Sequence, residues 1–169
     1  FLCLLIMIFG IRGNSAAQNP DGNSKGACVA GNCVNGNGTM HYSNGDIYNG
    51  QFVNNARSGF GTYSFAVGQK YTGQWSHGLR HGKGRNSKPD GTVTDGLWTK
   101  GELTYATVTF PDGNIYTGGY KSIDGHNYQH GNGTLKFANG SSYTGTYNLD
   151  KPDGKGRFTD VNGVQWEQE

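Results

Sequence analysis

A short motif returns along this chain at nearly constant spacing, and that recurrence limits the fold more than any other feature. Tyr48-x-Gly50-x-Phe52 is followed by Tyr71-x-Gly73-x-Trp75, Thr94-x-Gly96-x-Trp98, Tyr116-x-Gly118-x-Tyr120 and Tyr143-x-Gly145-x-Tyr147. The steps are 23, 23, 22 and 27 residues, so one unit has lost a residue and another has gained four, within Ser122–Gln129. A Gly-x-Gly element keeps phase with the first: Gly36-x-Gly38, Gly59-x-Gly61, Gly82-x-Gly84, Gly131-x-Gly133 and Gly154-x-Gly156. The third unit breaks this rule, with Tyr105 and Thr107 where glycines are expected. Asn44-Gly45, Asp90-Gly91, Asp112-Gly113, Asn139-Gly140 and Asn162-Gly163 form a third element. Units of this length stack on their neighbours, so they stand without a large central core.

That matters because only 33% of the residues are hydrophobic and 30 of 169 are glycine. Low hydrophobicity alone points to disorder. Aromatics at 12%, set at fixed intervals, point instead to a repetitive sheet.

Each unit offers two short strands, such as Thr62–Phe65 and Lys70–Trp75, and the joining turn can be argued from its residues. Asn-Gly suggests a two-residue type I′ turn, which needs φ > 0 at both central positions. Lys88-Pro89-Asp90-Gly91 and Phe110-Pro111-Asp112-Gly113 exclude it there, because proline fixes φ near −65°. A type I turn followed by a left-handed glycine, the three-residue hairpin with a G1 bulge, satisfies both residues. In the first unit this places Gly38, Met40, Tyr48, Gly50 and Phe52 on one face, and Thr39, His41, Asn49 and Gln51 on the other. The expected fold is all-β, an elongated, single-layer, twisted antiparallel meander of hairpins rather than a closed barrel.

The unit YTGQWSHGLRHGKGRNSKPDG resembles the repeat of the MORN (membrane occupation and recognition nexus) family, and the match spans Gly36–Gly163. The resemblance implies a non-catalytic scaffold that joins protein to protein or protein to membrane.

The N-terminal run Phe1–Phe9 is too short to span a membrane and fits the apolar region of a secretory signal peptide. Ser15 and Ala17 place cleavage after residue 17, although Arg12 interrupts the leader and no basic segment precedes it. The expected organisation is a leader over 1–17, a polar linker over 18–35 holding Cys28 and Cys33, and an array of five to six units over 36–169. The expected location is periplasmic, cell-envelope or secreted, with membrane anchoring as the alternative if the leader is uncleaved. In an oxidising compartment Cys28 and Cys33 read as one small disulfide loop.

No catalytic constellation emerges. His81 and His130 fill the same slot before Gly-x-Gly, which is a signature of the repeat. His126 and His130 lack a helix and a third ligand, so no metal site is expected. Gly82-Lys83-Gly84 lacks phosphate-loop spacing, and no cofactor is implied. A net charge of +2 argues against nucleic acid. Two binding surfaces remain. One is the aromatic face: Tyr48, Phe52, Tyr71, Trp75, Trp98, Tyr116, Tyr120, Tyr143 and Tyr147. The other is the basic run Arg80, His81, Lys83, Arg85 and Lys88, read as a loop. A protein partner is expected; the alternatives are an anionic membrane surface met by the basic run and carbohydrate or cell envelope stacked on the aromatic face.

Overall fold

In the computed structural model, residues 25–168 are described, and they form thirteen β-strands with no helix among them. The strands are β1 (Gly26–Gly31), β2 (Gly36–Tyr42), β3 (Ile47–Val53), β4 (Ala56–Ser64), β5 (Lys70–Ser76), β6 (Leu79–Ser87) and β7 (Val93–Thr99). They continue as β8 (Glu102–Thr109), β9 (Ile115–Ile123), β10 (His126–Lys136), β11 (Ser142–Asn148), β12 (Lys151–Thr159) and β13 (Gln165–Gln168). Spatial order equals chain order in one open sheet, and neighbouring strands run antiparallel. The open meander read from the repeat is the observed architecture. The proposed leader, residues 1–17, lies outside the described residues. Within 18–35, read as a linker, residues 26–31 instead extend the sheet as β1, paired with β2.

From β2 onward the connections alternate between two turn chemistries, one on each long edge. After β2 the loop is Ser43-Asn44-Gly45, with Tyr42 N–H bonded to Asp46 O at 2.9 Å, Gly45 N–H to Tyr42 O at 3.0 Å, and Gly45 at φ 86°. This is the three-residue G1 hairpin derived from the proline-containing turns. It recurs at residues 66–68, 89–91, 111–113, 138–140 and 161–163. Val67-Gly68 shows that only the last position of the loop is obligatory. On the opposite edge Asn54-Asn55, His77-Gly78, Lys100-Gly101, Asp124-Gly125 and Leu149-Asp150 all have positive φ at both residues, the type I′ signature. These tight turns are stitched together. Asn55, Gly78, Gly101 and Asp150 each donate their N–H to a carbonyl 21 residues earlier, on Val34, Arg57, Arg80 and Gln129.

A bulge interrupts one strand of each unit. Gly50 faces Gly61 while Phe52 faces Arg57, so extra residues are looped out around Gly59, whose φ is 62°. Gly82, Gly131 and Gly154 repeat the left-handed conformation. The length irregularities of the sequence are absorbed at two places. The four added residues lengthen the β9–β10 hairpin by further rungs, Ser122 with Asn127 and Ile123 with His126. The missing residue of unit three is taken from its bulge. Trp98 pairs with Leu103 and Gly96 with Ala106, so Ala106, rather than Tyr105 or Thr107, occupies the glycine seat.

Candidate functional site

In every unit but the third, the two motif glycines make room for one ring. The Tyr71 side chain lies across Gly73 on its own strand and Gly84 on the next, which face each other in register. A Cβ at Gly84 would stand 2.5 Å from Tyr71 Cζ, and one at Gly73 would stand 2.8 Å from its hydroxyl oxygen. Tyr48, Tyr116 and Tyr143 cover Gly50 and Gly61, Gly118 and Gly133, and Gly145 and Gly156 in the same way. The hydroxyls of Tyr48, Tyr71 and Tyr116 each donate to the carbonyl three residues on, at 3.0, 3.1 and 3.2 Å. Burial raises the Tyr48, Tyr71 and Tyr116 hydroxyls above their ordinary value, so they remain protonated donors.

The rings then tile one another edge to face. Tyr48 meets Phe52 and Trp75 at centroid distances of 5.1 and 5.3 Å, and Tyr71 meets Trp75 and Trp98 at 5.1 Å each. Tyr116 meets Tyr120 and Tyr147 at 5.5 and 5.2 Å. Two arginines complete the tiling. The Arg57 guanidinium carbon lies 4.9 Å from the Trp75 ring centre and 5.1 Å from that of Tyr63, and its nitrogens donate to Gly78 O at 3.1 and 2.7 Å. Arg80 repeats the arrangement over Tyr71 at 5.7 Å and reaches Gly101 O at 3.4 Å. Burial pulls the Arg80 guanidinium below its ordinary value. Sequence reasoning did not single out this arginine seat for packing, although the 23-residue spacing of Arg57 and Arg80 in phase with the rings carried the signal.

A single-layer sheet thereby seals one side with its own side chains. Tyr48, Tyr71 and Tyr116 are fully buried; Phe52, Trp75, Trp98, Tyr143 and Tyr147 are nearly so. Tyr120 is half-buried. The residues expected to offer stacking surfaces are therefore the core of the fold. The rings form two clusters, one running from Cys33 to Val108 and one around Tyr116, Tyr143 and Tyr147.

The reverse face is different in kind. Cross-strand hydroxyl pairs run across it: Thr62 with Thr72, Thr107 with Thr117, and Thr134 with Thr144, at 3.1, 3.1 and 2.9 Å. Asn49 donates to Thr39 in the first unit at 2.8 Å. Phe60, Leu97 and Tyr105 are exposed there, although they are large and apolar. Strand alternation also sends cations to this side: Lys70, Lys83 and Arg85 on β5 and β6, Lys121 and Lys136 on β9 and β10, and Lys151, Lys155 and Arg157 on β12. Its strand-paired carboxylates are Asp95, Glu102 and Glu167.

The basic run is not a loop. Residues 79–87 are strand β6, and alternation splits the run between faces. Arg80 is buried on the ring side. Lys83 and Arg85 are exposed on the threonine side, where Arg85 grips Asp95 in a bidentate pair at 2.7 and 2.8 Å. His81 is exposed within the strand, and Lys88 opens the Pro89–Gly91 turn. Its two glycines are the bulge residue Gly82 and the ring seat Gly84. Cys28 and Cys33 are joined by a disulfide that closes the segment between β1 and β2, with Cα atoms 5.9 Å apart. Among the described residues no group of three or more His, Cys, Asp or Glu is placed to hold a metal ion.

The chain matches the MORN repeat over residues 35–47, 48–70, 71–93, 126–142 and 143–165, more than half its length, and belongs to the MORN repeat family. The gap between 93 and 126 coincides with unit three and the lengthened hairpin. No curated protein matches the chain. Among solved structures it is similar to the TCP domain of SAS-4 (dCPAP) of Drosophila melanogaster, solved in complex with a proline-rich motif of Ana2 (dSTIL). That similarity has 18% identity and a TM-score of 0.51 over 79% of this chain and 71% of that one. A looser likeness links it to the TCP10 domain of Danio rerio CPAP in complex with a STIL peptide, at 16% identity and a TM-score of 0.30 over 79% and 68% of the two chains. The first of these similarities concerns the fold alone.

Proposed function

We propose that this chain is a non-catalytic scaffold of an exported protein, and that its sheet binds a segment of another protein. The observation that carries this reading is the open sheet itself. Thirteen strands at about 4.8 Å per step make a surface roughly 58 Å long, rigidified from one side by the ring tiling and open to solvent on the other. The similarly folded SAS-4 domain, with a proline-rich motif bound in its structure, supports a peptide-sized partner. The Cys28–Cys33 disulfide supports an oxidising location. Lipid binding through residues 80–88 has less to stand on, since Arg80 is buried and Arg85 is already paired. Stacking of carbohydrate on the ring side meets side chains that are already covered.

The test is affinity capture with the full chain, cross-linking in place and mapping of the linked residues, beside vesicle flotation. The expected result is a polypeptide linked to residues of the array. Flotation with anionic vesicles and no linked polypeptide would overturn the reading.

A further inference from the structure

Charge is sorted by position in this sheet, and the sorting is not required by the fold. Eight lysines and arginines lie on the threonine face, against three strand-paired carboxylates, or four if Asp153 in the last bulge is counted. The remaining described carboxylates stand at or beside the turns: Asp46, Asp90, Asp112 and Asp160 along one edge, Asp124 and Asp150 along the other. Lys25, Lys88 and Lys100 stand at these edges too, so six aspartates against three lysines leave the cationic strip with borders of net negative charge. We infer that this threonine face is the docking surface for an acidic, extended polypeptide segment that crosses the strands from about β5 to β12. The inference rests on the protein-binding reading above and specifies its surface and partner.

Three observations fix the occupant. The strip is bounded, because strands of seven to eleven residues span about 23–36 Å, and its borders carry aspartates. A membrane plane would press its own charges against those borders, whereas a single chain running along the strip avoids them. Arg85 and Arg157 already hold Asp95 and Glu167, which leaves six lysines, Lys70, Lys83, Lys121, Lys136, Lys151 and Lys155, for a partner's carboxylates. Between the cations stand threonine, asparagine and glutamine side chains, which suit a peptide backbone. The exposed Phe60 lies just beyond β5, and Leu97 and Tyr105 face each other on β7 and β8, where they offer apolar contacts between the lysines of β5–β6 and those of β9–β12. Complementary charge of this kind sets orientation and association rate more than raw affinity.

The experiment compares two triple variants of the full chain that change net charge equally and differ only in place. Lys83→Glu, Lys121→Glu and Lys136→Glu reverse charge on the face; Lys25→Glu, Lys88→Glu and Lys100→Glu reverse it outside the strip. The probe is a fluorescein-labelled twelve-residue peptide of glutamate and aspartate with one central phenylalanine, read by anisotropy, with its glutamine and asparagine counterpart as control. Thermal melts of both variants are expected to match the unmodified chain, because all six lysines are at the surface. The face variant is expected to weaken binding about tenfold or more and the edge variant less than about twofold. Equal weakening by the two variants, no binding of the acidic peptide, or tighter binding to phosphatidylserine vesicles or a DNA duplex than to the peptide would overturn the proposal. Cross-linked capture separates the two levels. If all three chains capture the same polypeptide, the face assignment falls and the scaffold reading stands; if none captures a polypeptide, the scaffold reading falls with it.

Discussion

Units two and three lie side by side and solve the same packing problem in opposite ways. In unit two a tyrosine ring, Tyr71, lies across two glycines, and Arg80 closes over it. In unit three Thr94 takes the tyrosine position, Ala106 the second glycine position and Leu103 the arginine position. Leu103 folds over the remaining glycine, where an added Gly96 Cβ would meet its Cδ1 at 2.6 Å. The apparent decay of the motif is therefore a coordinated exchange. Without the ring, the second glycine and the guanidinium lose their purpose, and a branched aliphatic fills the space. In units one and two the motif is one object with four parts, a ring, two glycines and an arginine cover; units four and five keep the ring and glycines with Gln129 and Pro152 at the cover position.

The largest effect that would break this comparison concerns the tryptophans. Trp75 touches Tyr48, Tyr63, Tyr71 and Arg57, and its Nε1 donates to Gly61 O at 3.2 Å. Trp98, next to unit three, stacks on Tyr71, and its buried Nε1 has no hydrogen-bond partner. Trp75→Ala is expected to cost about 4–5 kcal/mol and Trp98→Ala about 3 in denaturant titrations. Equal losses would mean that unit three packs as fully as unit two.

A methyl group placed under the ring comes next. Gly84→Ala is expected to cost about 2–3 kcal/mol because neither the ring nor the facing backbone can yield, whereas Ala106→Gly should cost about 1. The exchange can also be run as a cycle. Thr94→Tyr alone should destabilise by about 2 kcal/mol through overpacking. Adding Leu103→Arg and Ala106→Gly should recover at least half of that, and melts showing no recovery would refute the coupling. A smaller change follows from converting the cover in unit two. Arg80→Leu should shift stability by no more than about 1 kcal/mol, since its one hydrogen bond is long and a buried charge gains little over an apolar replacement.

The smallest effects are in pH, and they have opposite signs on the two edges. Asp90 accepts the Thr92 N–H at 2.8 Å, and that bond holds its carboxyl below the ordinary 3.8, with Lys88 nearby. Its contribution is present in full above that value and is lost as pH falls through the folded one. Burial raises the Asp150 carboxyl, despite the hydrogen bond from Gln129 N–H, so the folded state favours its protonated form. That favour is greatest at low pH and fades as pH rises from about 4 through the raised value. Stability–pH profiles should therefore flatten in opposite directions for Asp90→Asn and Asp150→Asn.

Much of this was legible in the residues. Proline in two of the loops fixed the turn on one edge, and strict alternation placed rings with glycines and threonines behind them. What alternation could not show was how far the rings close on one another, so residues that form the core read as a binding surface. Nor could spacing alone place Ala106, because a deletion inside a bulge moves the residue that faces Gly96 without moving the strands. The run from Arg80 to Lys88 misled for another reason: a short run of charge usually marks a solvated loop, yet here it lies in a strand and alternation splits it between the two faces.

The bulge gives the array something like a reading frame. A residue inserted in a regular strand would turn every later side chain over, sending rings outward and lysines inward. Unit three is one residue short and stays in frame because the bulge alone gives up that residue. The β9–β10 hairpin is four residues longer than its counterparts and stays in frame because it grew by matched rungs on both strands. Lengths of 22, 23 and 27 are thus synonymous spellings of the same unit, and an odd insertion placed away from the bulge would be a frameshift in three dimensions.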